Sequence, residues 1–271
     1  MGVKKNYLII SCDCEIQKDN SIAKNIKKYF DVFHQHDIPV TWLMRPQRGD
    51  GKISPITIMV YKKLGYLRKI HESFHEIGLH VHYKINDNHK LEKRQRSYFF
   101  LKCFNEVKEF GFILKSFRAG VYSYLPYDTK NLEDAGFVAD SSALPGIMGW
   151  EGGFPCVWCS APKFPYFLSY SNHMKEGIGT DKSKVVELPL ITIPEKNFIG
   201  YFDYNHKPTT FVEAIQSLLN AGRKPVFISL GFHDTSKCWR NVDTILNKIE
   251  DSIGNLKPVT MAEAAGCWKN T

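Results

Sequence analysis

Short β-rich runs alternate with helical runs along nearly the whole chain of 271 residues. A strand, a helix and a second strand in succession form a unit whose two strands lie parallel, so this order predicts a mostly parallel sheet covered by helices. The predicted strands occupy residues 7–13, 38–43, 76–82, 114–119, 136–141, 184–191 and 225–232, and a short last strand precedes Thr260.

The helices between these strands are indicated by apolar spacing and by capping residues. Their predicted positions are a start at Asn20 or Ser21, an amphipathic stretch over 98–110, a start at Thr209 or Thr210 with an end at Gly222, and a helix over 241–253.

Seven or eight strand–helix units predict an α/β barrel whose chemistry lies at the carboxyl ends of its strands. A doubly wound open sheet is the alternative. No glycine-rich dinucleotide or phosphate-loop motif follows any strand, so neither kind of nucleotide site is predicted. No internal repeat or linker divides the chain, and we expect a single domain over residues 1–271.

The charge balance bears on the partners. The formal net charge is +8, which favours an anionic partner such as a phosphate-bearing substrate, although a well-solvated basic surface is the alternative. No basic stripe is interleaved with aromatic residues, so nucleic acid is not a predicted partner.

The chain contains no apolar stretch long enough to span a membrane, and the run at 7–11 is too short for a secretory signal. Seven cysteines without such a signal predict reduced thiols and a cytoplasmic location. Cys156 and Cys159 form one CxxC pair, but a zinc knuckle needs a second pair, so we expect no function there.

Residues 142–179 break the alternation, mixing turn formers with large aromatic residues. Long loops in compact domains are often functional, and aromatic faces stack on sugar rings. We therefore expect Trp150, Trp158 and Tyr166 to bind substrate; a small core beneath a long loop is the alternative.

The first predicted strand ends in two acids. Strand alternation puts Ser11, Asp13 and Glu15 on one face. Adjacent carboxylates repel unless a cation or a shared proton intervenes. One acid is therefore expected to bind a metal ion and the other to act as a base; exposed acids beginning a loop are the alternative.

The third predicted strand ends with His80 and His82 on one face. Two imidazoles and a carboxylate are the usual ligands of a hydrolytic Zn²⁺ or similar divalent ion.

Two further strand ends carry candidate residues. Arg118 ends the fourth strand and is expected to be buried against an acid of the site. His233 follows the seventh strand and is well placed as a general acid, with Asp234 either orienting it or capping the next turn.

The ordered set of strand-end motifs resembles the polysaccharide deacetylases, a family that includes chitin and peptidoglycan deacetylases. The resemblance runs over most of the chain. Its motifs are Asp13 with Glu15, residues 75–80, residues 117–120, residues 140–142 after 136–137, residues 187–189 and residues 232–233.

This resemblance implies a distorted (β/α) barrel and a metal-dependent carbohydrate N-deacetylase. Asp13 then corresponds to the base and His233 to the acid, and Arg118 holds Asp13 ionised. The implied ligands of the divalent ion, with Zn²⁺ as the first candidate, are Glu15, His80 and His82.

The motifs depart from the family pattern in two places. The two acids are separated by Cys14, and the position four residues after His80, where the family has its second histidine, is Lys84. Members with such variant motifs resemble those that make surface glycans on nucleotide- or lipid-linked sugars. A non-catalytic glycan-binding barrel and a hydrolase of another C–N bond are the alternative functions.

Overall fold

The structure, a computed structural model, describes residues 5–18, 25–83, 93–151, 154–221, 225–254 and 256–271. Within these ranges the strands are β1 (Asn6–Cys14), β2 (Val40–Met44), β3 (Glu76–Val81), β4 (Ser116–Ala119), β5 (Ala139–Asp140), β6 (Met148–Glu151), β7 (Phe154–Val157), β8 (Tyr166–Ser169), β9 (Lys182–Glu187), β10 (Thr192–Ile193), β11 (Phe198–Ile199), β12 (Phe227–His233) and β13 (Leu256–Val259).

The α-helices in the same ranges are α1 (Ile26–Gln35), α2 (Ile56–Lys63), α3 (Tyr66–His71), α4 (Lys93–Lys108), α5 (Asp128–Asp134), α6 (Pro208–Asn220), α7 (Trp239–Ile253) and α8 (Met261–Lys269). None of the described helices is both long and apolar enough to cross a membrane.

The main sheet has the strand order β12-β1-β2-β3-β4-β5-β9-β8, and β13 pairs with the first half of β1. Its neighbouring strands are parallel except β8 and β9, which are antiparallel. Two single bridges, Leu190 to Ser229 and Tyr201 to Gly231, join the segment after β9 to β12. These bridges connect the chain that follows β9, on one side of the curled sheet, to β12 at the other end of the strand order. The predicted distorted barrel is confirmed.

The strand alternation of β1 divides the core into two parts. Ile10, Cys12 and Cys14 belong to the large cluster between the sheet and the helices. Ile9 belongs to a smaller cluster that includes Ala264 and Ala265 of α8. The smaller cluster fills the interior of the barrel at the amino ends of the strands, and α8 covers that end.

Several element ends differ from the prediction. Helix α6 begins at Pro208, with Lys207 as its N-cap, so Thr209 and Thr210 lie inside the helix. Proline suits the first turn because its missing N–H would have no helical partner there. Helix α7 begins at Trp239, two residues before the predicted start. The predicted start at Asn20 or Ser21 and the predicted end at Gly222 lie outside the described residues.

The segment over 142–179 contains strands that its irregular composition did not predict. β6 and β7 form an antiparallel pair, and β8 extends the main sheet beside β9. Strand β5 is shorter than predicted, with only Ala139 and Asp140 in the ladder.

Strand register brings the candidate polar residues to one end of the barrel. Asp13 is paired with His233 across β1 and β12, and His80 is paired with Arg118 across β3 and β4. All four residues lie at the carboxyl ends of their strands, the edge where α/β barrels hold their sites.

Candidate active site

Glu15, His80 and His82 form a compact group of metal-binding atoms, which lie within 4.8 Å of one another. The Oε1 atom of Glu15 is 2.6 Å from Nε2 of His82 and 3.4 Å from Nε2 of His80. The two Nε2 atoms are 2.9 Å apart. The described residues contain no other such group.

Neighbouring backbone and side-chain groups orient the two histidines. Nδ1 of His80 lies 3.1 Å from the carbonyl oxygen of Arg118, so Nδ1 carries the proton and Nε2 keeps its lone pair. The amide side chain of Gln47 holds the backbone of His82, accepting from its N–H at 2.8 Å and donating to its carbonyl at 2.6 Å.

Gly120 makes room for the imidazole of His82. A Cβ atom at this position would lie 2.7 Å from Nε2 of His82 and closer still to Cδ2. The next two residues, Val121 and Tyr122, have left-handed backbone conformations with φ of 48° and 53°. Such conformations are unfavourable for these residue types and persist only where surrounding contacts hold them.

The three donors fit a divalent ion. Bond lengths of about 2.0–2.1 Å in a tetrahedral Zn²⁺ site place neighbouring ligand atoms roughly 3.3 Å apart. The observed separations of 2.6, 2.9 and 3.4 Å therefore need only small adjustments. Burial lowers the pKa of His82 to about 4, so the ring is neutral at pH 7 and can offer a lone pair.

Arg45 also contacts this group, and the sequence offered no signal for it. Its Nη1 donates to Oε1 of Glu15 at 3.1 Å, and the guanidinium is mostly buried. A fixed positive charge beside the donors opposes the binding of a cation, although the carboxylate between them reduces that effect. Lys84, the other cation considered at this site, lies outside the described residues.

Asp13 and Arg118 form a buried ion pair beside the three donors. Nη1 of Arg118 donates to Oδ1 of Asp13 at 2.8 Å, and the hydroxyl of Tyr201 donates to Oδ2 at 2.5 Å. Burial alone would raise the pKa of Asp13, but the charge of Arg118 brings that pKa below its usual value. The carboxylate is therefore ionised and fixed in direction at neutral pH.

His233 is held by Asp203, an acid that no pattern in the sequence indicated. Its Nδ1 lies 2.8 Å from Oδ2 of Asp203, and its Nε2 lies 3.8 Å from Oδ2 of Asp13. Burial would lower the pKa of His233, yet the hydrogen bond to Asp203 and the charge of Asp13 raise it to about 9. The imidazole is thus protonated at pH 7, with Nε2–H directed toward the site.

Asp234 has neither of the two roles predicted for it. Its carboxylate accepts from the backbone N–H groups of Glu15 and Ile16, at 2.8 and 3.4 Å, and from the hydroxyl of Tyr61 at 3.0 Å. This residue supports the turn after β1, and thereby the position of Glu15, whereas Asp203 orients His233.

The aromatic substrate wall predicted for Trp158 and Tyr166 is wrong for both residues, because both side chains are buried. The indole N–H of Trp158 donates to the carbonyl of Tyr122 at 3.0 Å, and the hydroxyl of Tyr166 donates to the carbonyl of His173 at 2.8 Å. They belong to the core beneath the loop, which was the alternative. The side chain of Trp150 lies outside the described residues.

No protein-family model and no curated protein matches the sequence at a significant level. Among solved structures, the chain is similar to a provisionally assigned polysaccharide deacetylase from Mycobacterium smegmatis. The TM-score is 0.61 and the identity 14%, over 98% of this chain and 91% of that one. The chain has the fold of the polysaccharide deacetylases.

Two further neighbours with this fold are an allantoinase and a pseudoenzyme. An allantoinase, PuuE, aligns with a TM-score of 0.62 and 13% identity over 98% of this chain and 90% of its own. BA3943 of Bacillus anthracis, a CE4 family pseudoenzyme, aligns with a TM-score of 0.53 and 10% identity over 96% and 66%. At these identities the likeness establishes the fold and leaves the chemistry to the site.

We predict that Gly120→Ala weakens metal binding at least about tenfold, because the added methyl group displaces the imidazole of His82 and disrupts its alignment with the other donors. The measurement is Zn²⁺ affinity by competition with a chelator. Gly266→Ala is the matched control, since nothing lies near its added Cβ. Unchanged affinity in the Gly120 variant would show that His82 is not a ligand.

Proposed function

We propose that the protein is a metal-dependent hydrolase that removes an N-acetyl group from a sugar. The observation that carries the proposal is the convergence of Glu15, His80 and His82 beside a buried Asp13–Arg118 pair and a protonated His233. Each part alone has a structural explanation, but their presence at one end of a barrel supports hydrolysis.

A divalent ion held by Glu15, His80 and His82 would supply Lewis-acid chemistry, polarising the amide carbonyl and acidifying a water molecule. Zn²⁺ is the ion we propose, because two neutral imidazoles and one carboxylate are a common ligand set of catalytic zinc.

Asp13 is the proposed general base. Its carboxylate is ionised, and the bonds from Arg118 and Tyr201 occupy one lone pair on each oxygen. The remaining lone pairs can accept the proton of an attacking water, while Arg118 keeps the carboxylate in one orientation. General acid–base transfer of this kind contributes about 10²–10⁴-fold in rate.

His233 is the proposed general acid. Its Nε2–H is on the side of Asp13, and Nδ1–H is occupied by Asp203. A proton from Nε2 would go to the nitrogen that departs when the amide C–N bond breaks, which converts a poor leaving group into a neutral amine. Asp203 is a positioning residue, since it acts through His233.

The substrate we propose is an N-acetylated sugar or glycan used in surface-polysaccharide synthesis. Tyr204, half-buried, offers an aromatic ring beside the site, with its centroid 6.4 Å from that of His233 and 5.2 Å from that of Tyr201. The cytoplasm is the proposed compartment, since all seven cysteines are free of disulfides.

A non-catalytic glycan-binding protein is the second candidate, and Arg45 is the observation that favours it. The guanidinium of Arg45, which contacts Glu15, could take the place of the metal ion. The same fold also occurs in a pseudoenzyme. The same fold also carries an allantoinase, so a hydrolase of a different C–N bond is the third candidate.

We expect Asp13→Asn to lower kcat for acetate release from N-acetyl sugars by at least about 10²-fold, because the amide is not a base. Metal content should stay as in the wild type, since Asp13 lies outside the donor group. Asp31→Asn, a change in an exposed surface acid, is the control. Wild-type turnover in the Asp13 variant would refute its assigned role.

The pH profile of kcat/KM should fall about tenfold per unit above pH 9, where His233 loses its proton. Asp203→Asn should move the pH at which kcat/KM begins to fall from about 9 toward 6.5, because the hydrogen bond that raises the pKa of His233 is weakened. The raised pKa also stabilises the fold fully below about pH 6.5, and this contribution is lost as the pH rises through 9.

The control for the pH profile is Asp251→Asn, a change at an exposed position on α7. It should leave the break near pH 9. An unchanged break in the Asp203 variant would mean that His233 is not the acid that the profile reports.

A further inference from the structure

A basic cavity of about 390 Å³ lies between the first turns of α1 and α7 and is lined by Asn25, Lys28, Lys237, Trp239 and Arg240. These helices follow β1 and β12, the strands whose ends carry Asp13 and His233. The cavity is therefore at the same end of the barrel as the candidate active site, and Lys237 is four residues beyond His233.

Two of the three cations that line this cavity lie against one indole. Nζ of Lys28 and the guanidinium carbon of Arg240 each lie 4.8 Å from the ring centroid of Trp239. Among the described residues, no carboxylate forms an ion pair with Lys28, Lys237 or Arg240. Like charges held close together without an acid repel one another, and a bound anion would relieve that repulsion.

Three exposed lysines elsewhere on the surface each form an ion pair with an acid, which Lys28 and Lys237 do not do within the described residues. Lys27 pairs with Asp31 at 2.7 Å, Lys130 pairs with Asp134 at 2.5 Å, and Lys196 pairs with Glu213 at 2.6 Å.

The backbone and a buried amide add donors to the same place. Neither α1 nor α7 has an acidic residue in its first turn or a side-chain bond at its N-cap. The first N–H groups of α7 therefore have no intrahelical or side-chain partner at the N-cap, and they favour a negative charge nearby. Asn25, the N-cap of α1, is only 8% exposed, and its amide has no hydrogen-bond partner among the described residues. Asn25 lines the cavity, and its amide is a donor available to a ligand there.

We propose that this cavity binds the phosphate or diphosphate group of the substrate, so that the acetylated sugar is joined through phosphate to a carrier. Phosphate oxygens accept hydrogen bonds from lysine, arginine, amide and helix amino ends alike, which are the donors present. This inference rests on the proposed hydrolase function for the sugar but uses none of its catalytic residues.

The direct test is calorimetric titration with inorganic pyrophosphate. The wild type should bind it, and a triple variant, Lys28→Gln, Lys237→Gln and Arg240→Gln, should bind about a hundredfold more weakly. The matched control, Lys163→Gln, Lys248→Gln and Lys257→Gln, removes the same charge from exposed positions and should bind within about twofold of the wild type. Absent binding in the wild type, or equal binding in the two triple variants, would overturn the proposal.

The carrier is identified by acetate release from two substrates, a nucleoside diphosphate N-acetylhexosamine and a prenyl diphosphate N-acetylhexosamine in detergent micelles. If the triple variant of Lys28, Lys237 and Arg240 has a raised KM and an unchanged kcat for one of these substrates, the cavity binds the phosphate groups of that substrate. Such a result with either substrate supports the site. Equal KM values in wild type and variant for both substrates would contradict it.

The proposed hydrolase activity and the proposed anion site can each be refuted without the other. Pyrophosphate binding that depends on the three cations, without acetate release from any substrate, would support the anion site and contradict the hydrolase. Acetate release from neutral sugars, without pyrophosphate binding, would overturn the anion site and leave the hydrolase.

Discussion

The buried charge of Arg118 is the constraint on which the site depends. Its guanidinium is inaccessible to solvent and donates to Asp13, Ser11, Tyr201 and both the carbonyl and the hydroxyl of Ser141. A buried charge is tolerated only when it is paired and its donors are satisfied, so the surrounding backbone has little freedom. The carbonyl of the same residue orients His80, and one residue thus connects the proposed base with the metal-binding group.

The sequence could predict the fold and the composition of the site because both depend on regular strands. A period of two residues places Asp13 on the face of Ser11 and places His80 on the face of His82. Parallel pairing then brings the carboxyl ends of different strands to one edge, which is how His80 and Arg118 become register partners. The roles given to these residues stay predictions, but their proximity follows from the geometry of the sheet.

The parts that could not be predicted lie outside the regular strands. Tyr201 and Asp203 are in an irregular stretch before α6, and Arg45 and Gln47 follow β2, so no periodicity indicates which way their side chains point. The prediction that Trp158 and Tyr166 bind substrate was wrong for a related reason. Composition shows that Trp158 is apolar enough to pack or to bind, but only tertiary contacts decide that it is buried.

The contact of Arg45 with Glu15 favours a site without a metal ion, whereas the three donors favour a metal site. The metal content of the purified protein distinguishes the two. We would measure bound metal by elemental mass spectrometry in the wild type and in a His80→Ala, His82→Ala double variant. The wild type is expected to hold about one equivalent of Zn²⁺ or a similar divalent ion, and the variant none. No metal in either protein after incubation with excess ion would contradict the hydrolase and favour a glycan-binding barrel in which Arg45 neutralises Glu15.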